Sequence, residues 1–356
     1  MRTITPKELY ELKKDSYVIT DTRSPKEYDH GHIFGAVNNM TDFPKDKMLI
    51  VCGDASDIPE DIDAYTLTGG YRGWTDFMLS RPDCAKTAEQ SICDKFHTSI
   101  LSKFNKAVSD YKLVNDGDKI AVCISGGKDS MLMAKLFQEM KRRSTVTFDL
   151  VFLVMDPGYS FENRAIILRN AAALNIPAEV FETDIFEAVD NTEKHPCFLC
   201  AKMRRGNLYK KAKELGCNKI ALGHHFDDII ESTLMGMIYG GQMQTMMPKV
   251  KSANFEGMEL IRPLYLVREE AVKQWRDYCG LYFLQCACRV TREKNGSDEG
   301  GSKRAEIKAL IAELKSRNPQ IEHNIFRSTH NVKLSSIISY KDNGGNVHHF
   351  LDDYDS

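Results

Sequence analysis

The sequence predicts an α/β protein: a small N-terminal α/β domain followed by a doubly wound parallel sheet that carries a phosphate-binding loop. Three observations lead there. From residue 119 onward, apolar strand-like runs alternate with stretches of helical period. The Gly-rich segment Ser125-Gly126-Gly127-Lys128-Asp129-Ser130 stands between the first of those runs and the first of those helices. At 356 residues the chain is long enough for two domains, each with its own core.

Residues 1–80 read as a separate α/β unit, and Ser80-Arg81-Pro82-Asp83 breaks its pattern. The expected domains are therefore 1–83 and 84–340, followed by an acidic tail over 341–356. Residues 88–115 read as helix leading into the first strand of the second domain. Strands are expected at 119–124, 148–155, 178–182 and 219–223, and helices at 130–143, 161–174, 200–215 and 227–239. This order implies a parallel sheet with helices on both faces and a ligand at the C-terminal strand ends. The end, Asp352-Asp353-Tyr354-Asp355, reads as a frayed tail. No internal repeat or low-complexity segment is present.

Composition is that of a soluble globular protein. No apolar run approaches a membrane span, and the start lacks the apolar core of a signal peptide, so a cytoplasmic protein without a membrane partner is expected. Ten cysteines in such a chain point to metal binding or thiol chemistry, not to a disulfide framework. The net charge of −2 averages unlike parts: residues 1–80 hold nine Lys/Arg against fourteen Asp/Glu. Residues 201–220 instead carry Lys202, Arg204, Arg205, Lys210, Lys211, Lys213 and Lys219 against Glu214 alone. A solvated helix face explains such a run in isolation, but beside a candidate metal site it suits RNA phosphates.

A strand, a Gly-rich turn and a helix start together hold phosphate. Glycines let backbone N–H groups approach the anion, the helix N-terminus adds partial positive charge, and Lys128 adds a full one. Residue order and spacing differ from the eight-residue loop ending in Gly-Lys-Ser/Thr. The segment resembles the SGGxDS loop of the PP-loop ATP pyrophosphatases, which cut ATP between its α and β phosphates. That resemblance implies ATP at Ser125, Gly126, Gly127, Lys128, Asp129 and Ser130, with Lys128 and Asp129 in catalytic roles. Met155 and Asp156 end the next strand, where adenine or ribose would be met. In Gly223-His224-His225-Phe226-Asp227-Asp228, at another strand end, Gly223 would approach the nucleotide and Asp228 would orient Mg²⁺.

In the N-terminal unit, Asp21-Thr22-Arg23-Ser24-Pro25-Lys26-Glu27-Tyr28, Gly31-His32-Ile33-Phe34-Gly35-Ala36-Val37-Asn38 and Gly69-Gly70-Tyr71-Arg72-Gly73-Trp74 follow in order. The three blocks together resemble the rhodanese domain, whose catalytic cysteine carries a persulfide. Cys52 ends the apolar run Met48–Val51 where that cysteine should stand. The residues after it include Asp54 and Asp57 and no Arg, which opposes a thiolate. The span from Cys52 to Gly69 is also short for the family's usual helix. Cys52 is thus either a persulfide carrier or a relic in a docking module.

Cys197-Phe198-Leu199-Cys200 is a CxxC directly ahead of the basic helix, and Cys286-Ala287-Cys288 adds two thiols. Spacing alone allows a four-ligand zinc site on Cys197, Cys200, Cys286 and Cys288 as readily as an iron–sulfur cluster. Cys123 and Cys217 read as core residues, and Cys84, Cys93 and Cys279 show no obvious partner. The order SGGKDS, CFLCAKMRRG, ALGHHFDD, MIYGG and a late cysteine resembles the TtcA family of tRNA 2-thiocytidine synthetases over most of residues 95–340. Those are PP-loop enzymes with a 4Fe–4S cluster on three cysteines. The resemblance implies Cys197 and Cys200 as ligands, with Cys286 or Cys288 as the third. It further implies ATP-dependent adenylation of a pyrimidine C2 oxygen, displacement of AMP by sulfur, and tRNA as substrate. A sulfur donor such as a cysteine desulfurase would serve it. The sequence is compatible with a homodimer. Two other readings stay open: a thiolase acting on tRNA uridine and fed by the rhodanese persulfide, and a zinc-stabilised nucleotide-binding sulfur-trafficking protein.

Overall fold

A computed structural model describes residues 2–43, 46–56, 58–59, 62–186, 196–284, 303–342 and 344–354, with the backbone alone at 196–198 and 353. The chain forms two compact units: Met1–Phe226 with Pro248–Ser297, and Asp227–Met247 with Asp298–Ser356. The units cut the chain elsewhere than the break at residue 83, because the N-terminal α/β module packs into the same unit as the large sheet.

The N-terminal module contains β1 (Arg2–Ile4), α1 (Pro6–Glu11), β2 (Tyr17–Asp21), α2 (Pro25–His30), β3 (Val37–Asn38), β4 (Met48–Cys52), β5 (Ala64–Leu67) and α3 (Gly70–Ser80). Its strands form a parallel sheet in the order β1-β5-β4-β2-β3. Local chemistry explains two of the sequence blocks. Ser24 and Glu27 make a reciprocal capping box ahead of α2, with Pro25 opening the helix. Gly31 lies against the Tyr71 ring, where a Cβ would stand 2.3 Å from Tyr71 Oη. No helix occurs among the described residues between β4 and β5, as the short span suggests.

Next come α4 (Cys84–Cys93), a π turn over His97–Leu101 and α5 (Ser102–Asp110). The single helix expected at 88–115 is thus two helices. One wide turn resets the register so that Phe96, Ile100, Leu101 and Phe104 all enter the core. The large sheet follows through β6 (Lys119–Ile124), α6 (Lys128–Arg143), β7 (Asp149–Asp156), α7 (Phe161–Ala173), β8 (Ala178–Glu182), α8 (Pro196–Glu214), β9 (Lys219–Ala221), α9 (Phe226–Gly240), β10 (Lys249–Lys251), β11 (Glu259–Ile261) and α10 (Glu269–Tyr278). Strand order is β10-β11-β9-β6-β7-β8, parallel except for β10. Alternation along β6 serves both faces. Ile120, Val122 and Ile124 join the core formed with α4 to α7 and α10, while Ala121 and Cys123 meet Tyr209 and Ala212 of α8 on the other. Chain order reverses at β6, between β7 and β9, so the loop after β6 opens at a topological switch point.

The N-terminal module is seated on α10 and the segment after it. Lys273 Nζ lies 2.7 Å from Asp29, and the His32 backbone N–H donates to Asp277 Oδ1 at 3.3 Å. Arg276, buried and paired with Asp277 at 2.8 Å, also donates to the Asp29 carbonyl. Gly280, at φ +63°, closes the seam: a Cβ there would meet Met78 at 2.5 Å.

In the other unit, α9 from Asp227 onward is joined by α11 (Lys303–Arg317) and α12 (Ile321–Ser328). A hairpin of β12 (Ser339–Lys341) and β13 (Val347–His349) and a 3₁₀ turn over Phe350–Asp353 follow. Of the end expected to be frayed, Asp352–Asp355, the described residues run to Tyr354, and Asp352 and Asp353 belong to that 3₁₀ turn. Asp342 builds the hairpin turn by accepting from the backbone N–H groups of Gly344 and Asn346 at 2.8 and 2.9 Å.

Candidate active site

The glycine loop is shaped by its own residues. Gly126 adopts φ +85°, and a Cβ there would come within 2.5 Å of Ile167, so only glycine fits. Gly127 caps α6 without a side-chain hydrogen bond, leaving the first-turn N–H groups of that helix directed into the loop. Ser130 fastens the turn: its Oγ accepts from the Ser125 backbone N–H at 3.2 Å and from the Ser125 hydroxyl at 3.3 Å, and donates to the Gly127 carbonyl at 3.0 Å.

Lys128 is the first residue of α6, with Nζ 3.1 Å from Asp129 Oδ2 and 3.0 Å from Glu269 Oε1. Burial alone would lower its ammonium, but the two carboxylates outweigh that and hold it above the ordinary lysine value. Asp129 Oδ1 is buried, accepts no hydrogen bond among the described residues, and lies 3.7 Å from His225 Nε2. An orphaned carboxylate oxygen beside a phosphate loop fits a divalent cation.

The expected site residues divide. Gly223 reaches the loop, but as a spacer: a Cβ there would sit 3.2 Å from the Ser130 backbone nitrogen. Asp156 caps its own turn, accepting from the backbone N–H groups of Gly158 and Tyr159 at 3.0 and 2.7 Å, with Arg164 3.3 Å away. Asp228 opens α9 and is ion-paired with Arg304, which also meets Glu231 at 2.7 Å. Sequence reasoning passed over Glu269, because nothing in Val267-Arg268-Glu269-Glu270 distinguishes a loop partner from an ordinary acidic helix start.

Met155, at the end of β7, packs in one apolar cluster with Ile185, Leu199, Cys200 and Met203. The CxxC helix thus meets the sheet at a strand end beside the glycine loop. Cys197 and Cys200 stand one turn apart in the first turns of α8. Of the two, Cys200 lies in that apolar cluster at the strand end. Cys286 and Cys288 lie outside the described residues. Among the described residues no three His, Cys, Asp or Glu side chains converge as a metal site.

Along α8, Lys202, Arg205, Lys210 and Lys213 are exposed, whereas Lys211 meets Glu179 at 3.0 Å. Lys219 departs from the expectation of a phosphate contact: it is buried in β9 and bonded to Asp118 at 2.6 Å and the Leu113 carbonyl at 3.0 Å. Cys123 and Cys217 are buried in the core, as expected. Cys93 and Cys279 do have partners, Glu139 at 3.3 Å and Ser91 at 3.6 Å.

Cys52 ends β4, wholly buried. Burial and Asp21 push its thiol up to about 12, against a smaller opposing pull from Arg23. Arg23 is the positive charge missing from the loop after Cys52, but it is bound to Asp21 at 2.5 and 2.9 Å and to the Gly31 carbonyl at 2.7 Å. The loop itself folds back, with Thr22 Oγ1 donating to the Asp54 carbonyl at 2.5 Å.

A glycine loop and lysine at the switch point of a parallel sheet define a nucleotide-binding domain of the PP-loop class. The PP-loop domain family matches residues 96–286, and the rhodanese-like domain family matches residues 5–61. The tRNA-cytidine(32) 2-sulfurtransferase of Pelobacter propionicus is 36% identical over 64% of this chain and 83% of its own length. Its counterpart from Vibrio vulnificus is 33% identical over 71% of this chain and 80% of its own. A solved structure, the U34-tRNA thiolase NcsA of Methanococcus maripaludis with its 4Fe–4S cluster, matches 64% of this chain and 76% of its own with TM-score 0.51 and 21% identity, a likeness of fold. The chain belongs to the family of tRNA-cytidine(32) 2-sulfurtransferases.

Proposed function

We propose that this protein is an ATP-dependent tRNA thiolase that replaces the C2 oxygen of a cytidine with sulfur. The observation that carries the reading is one of placement: the glycine loop and the strand end packed on Cys200 lie side by side at the C-terminal edge of one parallel sheet. The base's C2 oxygen attacks the α-phosphorus of ATP and pyrophosphate leaves. Incoming sulfur then bonds to C2, and AMP departs with the former C2 oxygen. Lys128 and the first-turn N–H groups of α6 neutralise charge developing on pyrophosphate, and Asp129 would hold Mg²⁺. Cys197, Cys200 and one of Cys286 or Cys288 would hold a 4Fe–4S cluster, which when bound supplies an iron site for sulfur. The exposed cations of α8 would follow the tRNA backbone, with the target base turned out of its stack. A protein donor such as a cysteine desulfurase would supply sulfur as a persulfide through the N-terminal module, and attack by a second thiol on the donor sulfur would release the outer atom at the sulfide level and leave a disulfide.

Mass spectrometry of tRNA nucleosides from a deletion strain tests the substrate: 2-thiocytidine should vanish while 2-thiouridine persists, and the reverse would transfer the reading to uridine. Lys128→Ala should abolish modification while leaving iron and acid-labile sulfide at wild-type content, since its charge serves phosphate. Stoichiometric zinc without iron after anaerobic purification would refute the cluster.

A further inference from the structure

We propose that Glu269 is a positioning residue for the nucleotide reaction: it competes with phosphate for the Lys128 ammonium and so sets ATP affinity. This rests on the reading of Ser125–Ser130 as the ATP loop. Lys128 Nζ sits 3.0 Å from Glu269 Oε1, and both side chains are mostly buried, so the pair is poorly screened. A phosphate oxygen reaching the N-terminus of α6 needs the same ammonium, and the two anions cannot both keep it at full strength. Glu269 opens α10, one turn before Lys273 on the same helix. A Glu four residues ahead of a Lys is a favourable helical pair. Lys273 itself is bound to Asp29 of the N-terminal module at 2.7 Å.

The test is binding of α,β-methylene-ATP to the full-length protein, together with thiolation kinetics. Glu269→Gln should tighten the analogue and lower KM for ATP by about 3- to 10-fold, the weight of one poorly screened ion pair, with kcat within about twofold. Glu269→Asp, which keeps the charge, should restore wild-type values. An unchanged or weaker affinity in Glu269→Gln of wild-type thermal stability would overturn the proposal, as would Glu269→Asp behaving like Gln. Lys128→Ala separates the two layers. Retained analogue binding there would refute the loop assignment itself, whereas lost binding there with no gain in Glu269→Gln would refute only the competition.

Discussion

At the scale of single residues, the Cys52 thiol and the Lys128 ammonium show how surroundings decide chemistry. A thiol pushed up to about 12 by burial and Asp21 is overwhelmingly protonated at neutral pH. Iodoacetamide should therefore label Cys52 in the native protein at least about 100-fold more slowly than in urea, read by peptide mass spectrometry. Labelling at the rate of an exposed cysteine would mean that the loop after β4 opens far more readily than its Thr22 bond suggests. If Cys52 passes sulfur on, Cys52→Ala should slow thiolation with a protein persulfide donor and spare it with free sulfide. Equal rates with both donors would make the module a docking element. Part of this was legible in the sequence: Asp54 and Asp57, and the lack of an Arg after Cys52, already oppose a thiolate. The role of Arg23 was not, because its capture by Asp21 and Gly31 depends on the packing of α2 against the sheet.

At the scale of elements, the glycine loop shows why some positions could be read and others could not. Gly126 combines a left-handed backbone with a contact that leaves no room for a methyl group. Gly126→Ala should cost about 1–3 kcal/mol in urea unfolding, with ATP binding lost in the surviving fold. A stability change below about 0.5 kcal/mol would show that Ile167 and the loop relax freely. The strand and helix ranges from 119 to 240 were legible because apolar period and chain order there are strong and mutually consistent. Asp156 and Gly223 were legible only by location. The sequence places them at strand ends, but only the fold shows that one caps its own turn and the other spaces β9 from α6. The π turn at His97–Leu101 was hidden because a one-residue reset leaves local apolar spacing looking helical.

At the scale of the molecule, the seam between the N-terminal module and α10 is charged, and His30 sits on it. Burial, then Arg276, Arg23 and Lys128, lower its imidazole from 6.5 to about 4. Between those values the unfolded chain binds a proton that the folded chain refuses. His30 should thus leave stability untouched above pH 6.5, erode it as pH falls toward 4, and add no further loss below. Urea melts at pH 7.5 and 5.0 should differ, and His30→Gln should reduce the difference. An identical pH dependence in that variant would place the titration elsewhere.

The tight fit at Gly280 bears on how such a chain can be recombined. A rhodanese-like module joined by a tether can be traded between proteins as a cassette, because nothing beyond its own ends records its shape. Here Met78 fills the space where Gly280 would otherwise carry a side chain, and Arg276 and Asp277 complete the polar edge. The imprint of the module is therefore written into residues 269–283. A chimera that exchanges residues 1–83 for another rhodanese-like sequence must bring the matching 269–283 with it, and a gene-level splice that ignores this second segment should yield insoluble protein.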